Sequence, residues 1–160
     1  MQEKELVLRL RKNELFDPYV LLPHAELNGN VYNSVDIFVE KYKGDEMTLL
    51  ILSDPLNDSI QNTFREVYRA HYEDEYKKIT RYLNRRISRM VVLLVVSLSA
   101  FILADRLNMR TEGYNVFLNV IANIGAFCLW EVGYTHFASR DAVEEKRRIR
   151  RARDARIDFL

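Results

Sequence analysis

The sequence predicts an α+β protein, with a small cytoplasmic β-α-β-α domain, a transmembrane helical hairpin and a basic C-terminal helix. Charge is divided along the chain, since residues 1–76 hold 8 Lys/Arg against 15 Asp/Glu and residues 77–160 hold 16 against 8. Two long segments in the second half carry no charge. The first half instead alternates short apolar runs with polar breaks, which is typical of a small folded domain.

The first half carries two predicted strands and one predicted helix. ELVLRLRK, residues 5–12, alternates in the manner of a half-buried strand, and EMTLLILSD, residues 46–54, is apolar on both sides like a buried strand. Between them, residues 33–42 are predicted to be helical, with Asn33 or Ser34 as candidate N-cap. The apolar face of this helix is formed by Val31, Val35, Phe38, Val39 and Tyr42. Two strands form only a marginal sheet, so a third strand is expected from residues 19–27 or from another subunit.

A second helical pattern begins at Asp58 and contains an aromatic row that is expected to pack on the sheet, formed by Tyr68, Tyr72 and Tyr76. Neither Pro nor Gly occurs between Leu56 and Gly113, so this helix is expected to continue unbroken into the first uncharged segment. An unbroken helix would couple the front domain rigidly to that segment.

The two uncharged segments are long enough to predict membrane spans. Fifteen uncharged residues lie between Arg89 and Asp105, and 18 lie between Glu112 and Glu131. A core of about 30 Å needs roughly 20 residues, so each span must extend beyond its uncharged core. We place the spans at about 88–107 and 115–136. The domains are then 1–76, 77–138 for the juxtamembrane helix and hairpin, and 139–160 for the basic tail.

Basic residues predict the orientation of this hairpin. Arginines and lysines cluster before the first span and after the second, whereas the connector holds only Arg106 and Arg110. By the positive-inside rule, both termini are expected in the cytoplasm, with the hairpin in the inner (plasma) membrane.

Polar residues recur along the second predicted span at Asn115, Asn119, Asn123 and Glu131. Steps of four residues place them on one slowly drifting helical stripe. Three interpretations remain open. The asparagines could form hydrogen bonds to Ser97 and Ser99 or to another subunit, the stripe could line a pore with Glu131 as a charged ring, or its ends could lie at the membrane surfaces. Glu131 is expected to pair with Arg89 or Arg86.

Small residues on both predicted spans favour close helix packing and self-association. They are Ser97, Ala100 and Ala104 on the first, and Ala122, Gly125 and Ala126 on the second.

Arginines are the second group of candidate binding residues. Arg86, Arg89, Arg147, Arg148, Arg150 and Arg151 are expected to contact anionic lipid headgroups or a neighbouring subunit. Contact of the tail with the acidic front domain is an alternative. Nucleic acid is not expected as a partner, because the tail lacks stacking aromatic residues.

Residues that could carry catalysis are missing from the sequence, so neither an enzyme nor a cofactor is predicted. Phosphate loops, dinucleotide fingerprints and nucleophile elbows are absent, and the three histidines are scattered. Cys128 is the only cysteine, which leaves no thiolate metal site within the chain. No secretory signal peptide is predicted.

The segments LVLRLRKNELFDPYVLLPHAELN, Trp130-Glu131 and the closing ARIDF resemble an uncharacterised group of small bacterial membrane proteins. That group combines a short α/β front domain with a two-span hairpin and an arginine-rich tail. The resemblance covers nearly the whole chain and implies a bacterial source but no activity.

These observations predict an integral inner-membrane protein that acts as a membrane-anchored interaction or assembly module. It would self-associate, and its front domain could also bind a cytoplasmic protein. The alternative is a homo-oligomeric channel or membrane effector that the front domain gates.

Overall fold

The computed structural model describes residues 4–17, 26–42, 47–53, 55–108 and 116–160. The protein is mixed α and β, mostly helical, with a small three-stranded sheet. It divides into two compact units. Unit 1 combines Met1–Lys78 with Glu145–Leu160, and unit 2 is Ile79–Glu144.

Three strands and four α-helices make up the described chain, with a single 3-10 turn at Lys12–Glu14. In chain order they are β1 (Lys4–Arg9), α1 (Gly29–Lys41), β2 (Met47–Leu52), α2 (Asp58–Asn108), α3 (Val116–Ala138), α4 (Arg140–Arg153) and β3 (Arg156–Phe159). Helix α2 begins at the predicted residue and runs unbroken for 51 residues, so it contributes to both units.

The sheet of unit 1 is entirely parallel, in the order β1-β2-β3. Its third strand is β3, which comes from the tail that was predicted to be wholly helical, so this prediction was wrong for the last residues. Of the segment expected to supply the strand, Leu27 forms only an isolated bridge with Phe16, and residues 19–25 lie outside the described chain. Strand β3 borders β2 because Ile157 and Phe159 alternate and align with Leu49 and Ile51.

One face of the sheet carries the core. Leu49 and Ile51 of β2 are completely buried, and Phe64 of α2 makes an edge-on ring contact with Phe159 on the same side. The alternate side chains of β1 point to the other face and are exposed, including Val7 at 48%. Helices therefore cover only one face of the sheet at β1.

Helix α1 begins earlier than predicted. Its N-cap is Asn28, whose Oδ1 accepts a hydrogen bond from Asn30 N at 3.0 Å, so Asn33 and Ser34 lie inside the helix. The physical reason is Val31, which is buried and extends the apolar face one turn before Val35. A helix that began at Asn33 would leave this valine out of the core.

Candidate functional site

Close packing of α3 against the second half of α2 defines the candidate site in unit 2. Ser97 Oγ donates a hydrogen bond to the carbonyl oxygen of Gly125 at 2.8 Å, and Ser97 is 1% exposed. A Cβ at residue 125 would lie 3.3 Å from both Ala100 Cβ and the Phe101 ring. Ser97, Ala100 and Gly125 thus let the two backbones approach closely. Ala104 is also buried, whereas Ala126 is exposed.

Contacts along this helix pair run in opposite chain directions. Arg89 Nη2 lies 3.1 Å from Glu131 Oε1, and Arg86 Nη1 donates to Ser139 Oγ at 3.4 Å. The ion pair expected for Glu131 is therefore present, with Arg89 as the partner. Both arginines lie on α2. Arg89 contacts α3 toward its C-terminal end, and Arg86 contacts Ser139, the residue directly after α3.

Glu131 of the polar stripe contacts α2 through Arg89, whereas the exposed Asn123 lies away from this packed surface. Asn119 is half-buried, Asn123 is exposed, and Asn115 lies outside the described residues. Ser97 uses a backbone carbonyl as acceptor in place of an asparagine, and Ser99 is exposed. The described asparagines therefore do not bond to the first apolar segment through Ser97.

An aromatic row occupies the outward side of α3 beside Asn123. The rings of Phe127, Trp130 and Tyr134 stack in sequence, with centroid separations of 6.5 Å and 5.7 Å. All three are exposed by 60% or more, although they are large and apolar or amphipathic. Such a surface needs a covering layer of lipid or protein.

Changing Glu131 tests the ion pair of the helix pair. Glu131→Gln will destabilise the helix pair by no more than about 1 kcal/mol, because Arg89 remains 67% exposed and partly solvated. Glu131→Lys will destabilise the helix pair more than Glu131→Gln, since it places a cation beside Arg89. The exchange Arg89→Glu with Glu131→Arg will recover most of that loss. Unfolding by titration with a denaturing detergent measures all three, and equal losses for Lys and Gln would contradict the pairing.

Tail arginines make contacts within unit 1. Arg148 Nη1 lies 3.4 Å from Glu40 Oε1, and Arg151 Nη1 donates to the Tyr42 carbonyl oxygen at 2.9 Å. Arg150 pairs with Asp154, the residue directly after α4, at 3.6 Å, and Arg147 is exposed. Two of the four predicted tail arginines thus link α4 to α1. Arg148 contacts the helix itself, and Arg151 contacts its C-cap, Tyr42.

Arg153 was not predicted as a site residue, yet it links α4 to α2 through an ion pair and a ring contact. Its Nη1 lies 3.3 Å from Glu73 Oε2, and its guanidinium stacks over the Tyr76 ring at 4.5 Å. Lys146 Nζ lies 5.1 Å from the centroid of the same ring. Tyr76 therefore receives two cations from α4, a role that the helical spacing of the tyrosines did not reveal.

A polar cluster connects α1 with α2. Tyr72 Oη donates to Asp36 Oδ1 at 3.0 Å, and the rings of Tyr32 and His71 stack at 3.8 Å. Burial raises the pKa of Tyr72 far above its usual range, so the phenol remains a neutral donor. Burial also raises the pKa of Asp36, against the smaller lowering effects of the Tyr72 hydrogen bond and of His71.

The raised pKa of Asp36 makes stability depend on pH. A carboxyl whose pKa is higher in the folded state destabilises that state when ionised, and the cost disappears below the unfolded value of 3.8. Asp36→Asn keeps an acceptor for Tyr72 and will raise the unfolding midpoint at pH 7. The gain will shrink as pH falls through the folded pKa and vanish below 3.8. Thermal unfolding of both proteins across this range checks the sign, and a loss at pH 7 would refute it.

The described part of the chain provides no candidate metal centre. Groups of three or more His, Cys, Asp or Glu side chains that could hold a metal ion are absent there. A shallow cavity of about 410 Å³ opens beside the carboxyl ends of the strands, where Arg9 and Arg11 lie with Glu14.

Comparison with protein-family models, with curated proteins and with solved structures finds no match for this chain.

Proposed function

We propose that this chain is an integral protein of a bacterial inner membrane and serves as a membrane-anchored assembly module that self-associates. One observation carries the proposal. Two helical segments, within Asp58–Asn108 and Val116–Arg153, are long and apolar enough to cross a membrane, yet only 11% of the most apolar window of each is buried. The core helix of a soluble protein would be mostly buried, so this exposure supports a lipid environment.

The composition of unit 1 supports a hairpin with both ends on one side. Unit 1 holds chain from before and after unit 2, because Met1–Lys78 and Glu145–Leu160 fold together. If unit 2 lies in the membrane, the chain must cross it an even number of times to return to unit 1, as a two-span hairpin does. The basic residues on both flanks support a cytoplasmic location for unit 1, by the positive-inside rule.

Self-association is supported by the outward surface of α3. Asn123 is exposed beside the row of Phe127, Trp130 and Tyr134. An amide that faces only hydrocarbon leaves its hydrogen bonds unmade, which is costly, so a polar partner from another subunit favours assembly.

The same amide supports a second candidate function, a homo-oligomeric channel or membrane effector gated by unit 1. In an oligomer that turned this surface inward, Asn119 and Asn123 would face water in place of protein. Asn119→Leu with Asn123→Leu separates the two functions. It lowers the oligomer mass if the amides hold subunits together, and it alters ion conductance with the mass unchanged if they line a pore.

Cysteine accessibility in spheroplasts tests membrane insertion and orientation. In a Cys128→Ala background, an impermeant maleimide will label Asn108→Cys, at the end of α2, in intact spheroplasts. It will label Asp154→Cys, in unit 1, only after permeabilisation. Labelling of both positions in intact cells, or release of the protein by alkaline carbonate, would refute the proposal.

A further inference from the structure

Among the described residues, one edge of strand β1 has no partner strand, and the sequence of β1 is complementary to itself in the antiparallel direction. Within the described chain, β1 pairs only with β2, so its other edge carries no strand. The exposed face of β1, which we call the open face, carries the side chains of Glu5, Val7 and Arg9. The two charged residues have opposite signs, and the exposed valine lies between them. An unprotected edge of this kind is a template for strand pairing.

Backbone direction selects which residues face this edge. Leu10 N donates to the Leu52 carbonyl oxygen, so the N–H of Leu10 points toward β2. Because backbone groups alternate between the two edges of a strand, those of Glu5, Val7 and Arg9 point away from β2. The three residues with free backbone groups are therefore the same three whose side chains lie on the open face.

We propose that β1 pairs antiparallel with β1 of a second copy, with Val7 opposite Val7 and Glu5 opposite Arg9. In this register, the outward N–H and C=O groups of all three residues form backbone hydrogen bonds to the other copy. Residues that face each other in the hydrogen-bonded pairs of an antiparallel sheet do the same. It buries both exposed valines against each other and forms two symmetric ion pairs. Parallel pairing in equal register would instead place Glu5 against Glu5. The proposal rests on the self-association proposed above and names its surface.

Charge distribution distinguishes β1 from the other edge strand. On β3, Arg156 Nε lies 3.0 Å from Asp158 Oδ2, so its charges pair within the strand. Glu5 and Arg9 stand four residues apart, about 13 Å along an extended chain, which is too far for a direct pair. In the described chain neither residue forms an ion pair, and a second copy supplies the opposite charge to both.

The symmetry of this pairing is closed. A two-fold axis through the paired valines runs perpendicular to the sheet, so both helical layers stay on the same side of a six-stranded sheet. The interface is isologous and ends at two subunits, which suits a discrete dimer rather than a fibre.

Charge exchange tests the register. The mass of the full-length protein in nanodiscs, measured over a concentration series, will show a dimer for wild type. Glu5→Arg alone and Arg9→Glu alone place like charges opposite each other, and each will raise the dimer dissociation constant by at least about tenfold. The double exchange, which keeps the net charge, will restore wild-type dimerisation.

A proline variant tests the edge independently of charge. Val7→Pro removes an N–H that points away from β2, so it will abolish the dimer and leave unit 1 folded. Leu8→Pro removes an N–H that faces β2 and will instead destabilise unit 1, which thermal unfolding detects. A bifunctional maleimide will cross-link two copies of the Val7→Cys variant but not two copies of Asp158→Cys, on β3. Wild type, whose only cysteine is Cys128, gives the level of cross-linking that does not depend on the introduced cysteine.

The outcomes separate this inference from the proposed function. A wild-type protein that is monomeric at every concentration overturns both the edge pairing and the self-association. A dimer that survives Val7→Pro overturns the edge pairing alone, because assembly then uses another surface. A dimer that Val7→Pro abolishes but that the single charge changes leave intact overturns the stated register.

Discussion

A fragment of residues 1–78 will not fold, whereas the same fragment joined by a short linker to residues 145–160 will form a stable, soluble domain. The reason is that α4 and β3 complete the core of unit 1, where Ile149 and Ile157 are buried. Burying one isoleucine is worth about 1.5–3 kcal/mol, so two account for much of a typical stability of roughly 5–15 kcal/mol. Tyr68 Oη would also lose its acceptor, the Ala152 carbonyl oxygen at 2.9 Å.

The linker can be short, because the two ends of the deleted segment lie close together. Lys146 Nζ lies 5.1 Å from the Tyr76 ring centroid, and about eight Gly/Ser residues reach up to roughly 27 Å. Circular dichroism and urea unfolding of both fragments provide the measurement. Ile157→Asp in the linked fragment is the control, since it keeps the length but should abolish folding. A cooperative transition in residues 1–78 alone would contradict the prediction.

Gly125→Leu will destabilise the helix pair by about 1–3 kcal/mol, through overpacking where the backbones approach. Even the first carbon of the new side chain would lie 3.3 Å from Ala100 Cβ and from the Phe101 ring. The remaining carbons have no space, so α3 must move away from α2. That movement also breaks the bond from Ser97 to the Gly125 carbonyl oxygen.

Gly133→Leu is the matched control for this substitution. Both glycines lie in α3, so the gain in helix propensity, about 1 kcal/mol, is similar at both positions. A Cβ at residue 133 meets nothing within 4 Å. Fluorescence of Trp130, the only tryptophan, reports unfolding during a titration with denaturing detergent. Equal midpoints for the two variants would show that the close approach does not hold the helices together.

Local patterns predicted two strands and two helices in the first half, although α1 begins earlier than its pattern indicated. β1 and β2 formed where alternation and apolar runs indicated strands, and α2 began at Asp58 and continued to Asn108 because no Pro or Gly interrupts it. The pair of Arg89 and Glu131 also followed from the sequence, since both residues border uncharged segments.

Long-range pairing explains what the sequence did not reveal. The strand signal of β3 is only four residues long, and the arginine-rich helix before it dominates the local pattern. Its partner β2 lies about 100 residues earlier, so nothing nearby indicates the pairing. The acceptor of Ser97 is a backbone carbonyl oxygen, and side-chain patterns contain no information about such partners.

The position of β3 in the chain also sets an order of events during synthesis. Strand β2 acquires its second neighbour only after α2, α3 and α4 have been made. At about 5–20 residues per second, roughly 100 residues take about 5–20 s to translate. Until then, the edge of β2 that β3 occupies lacks this strand, although both long apolar helices are already complete. The sheet is therefore the last part of the fold to be finished.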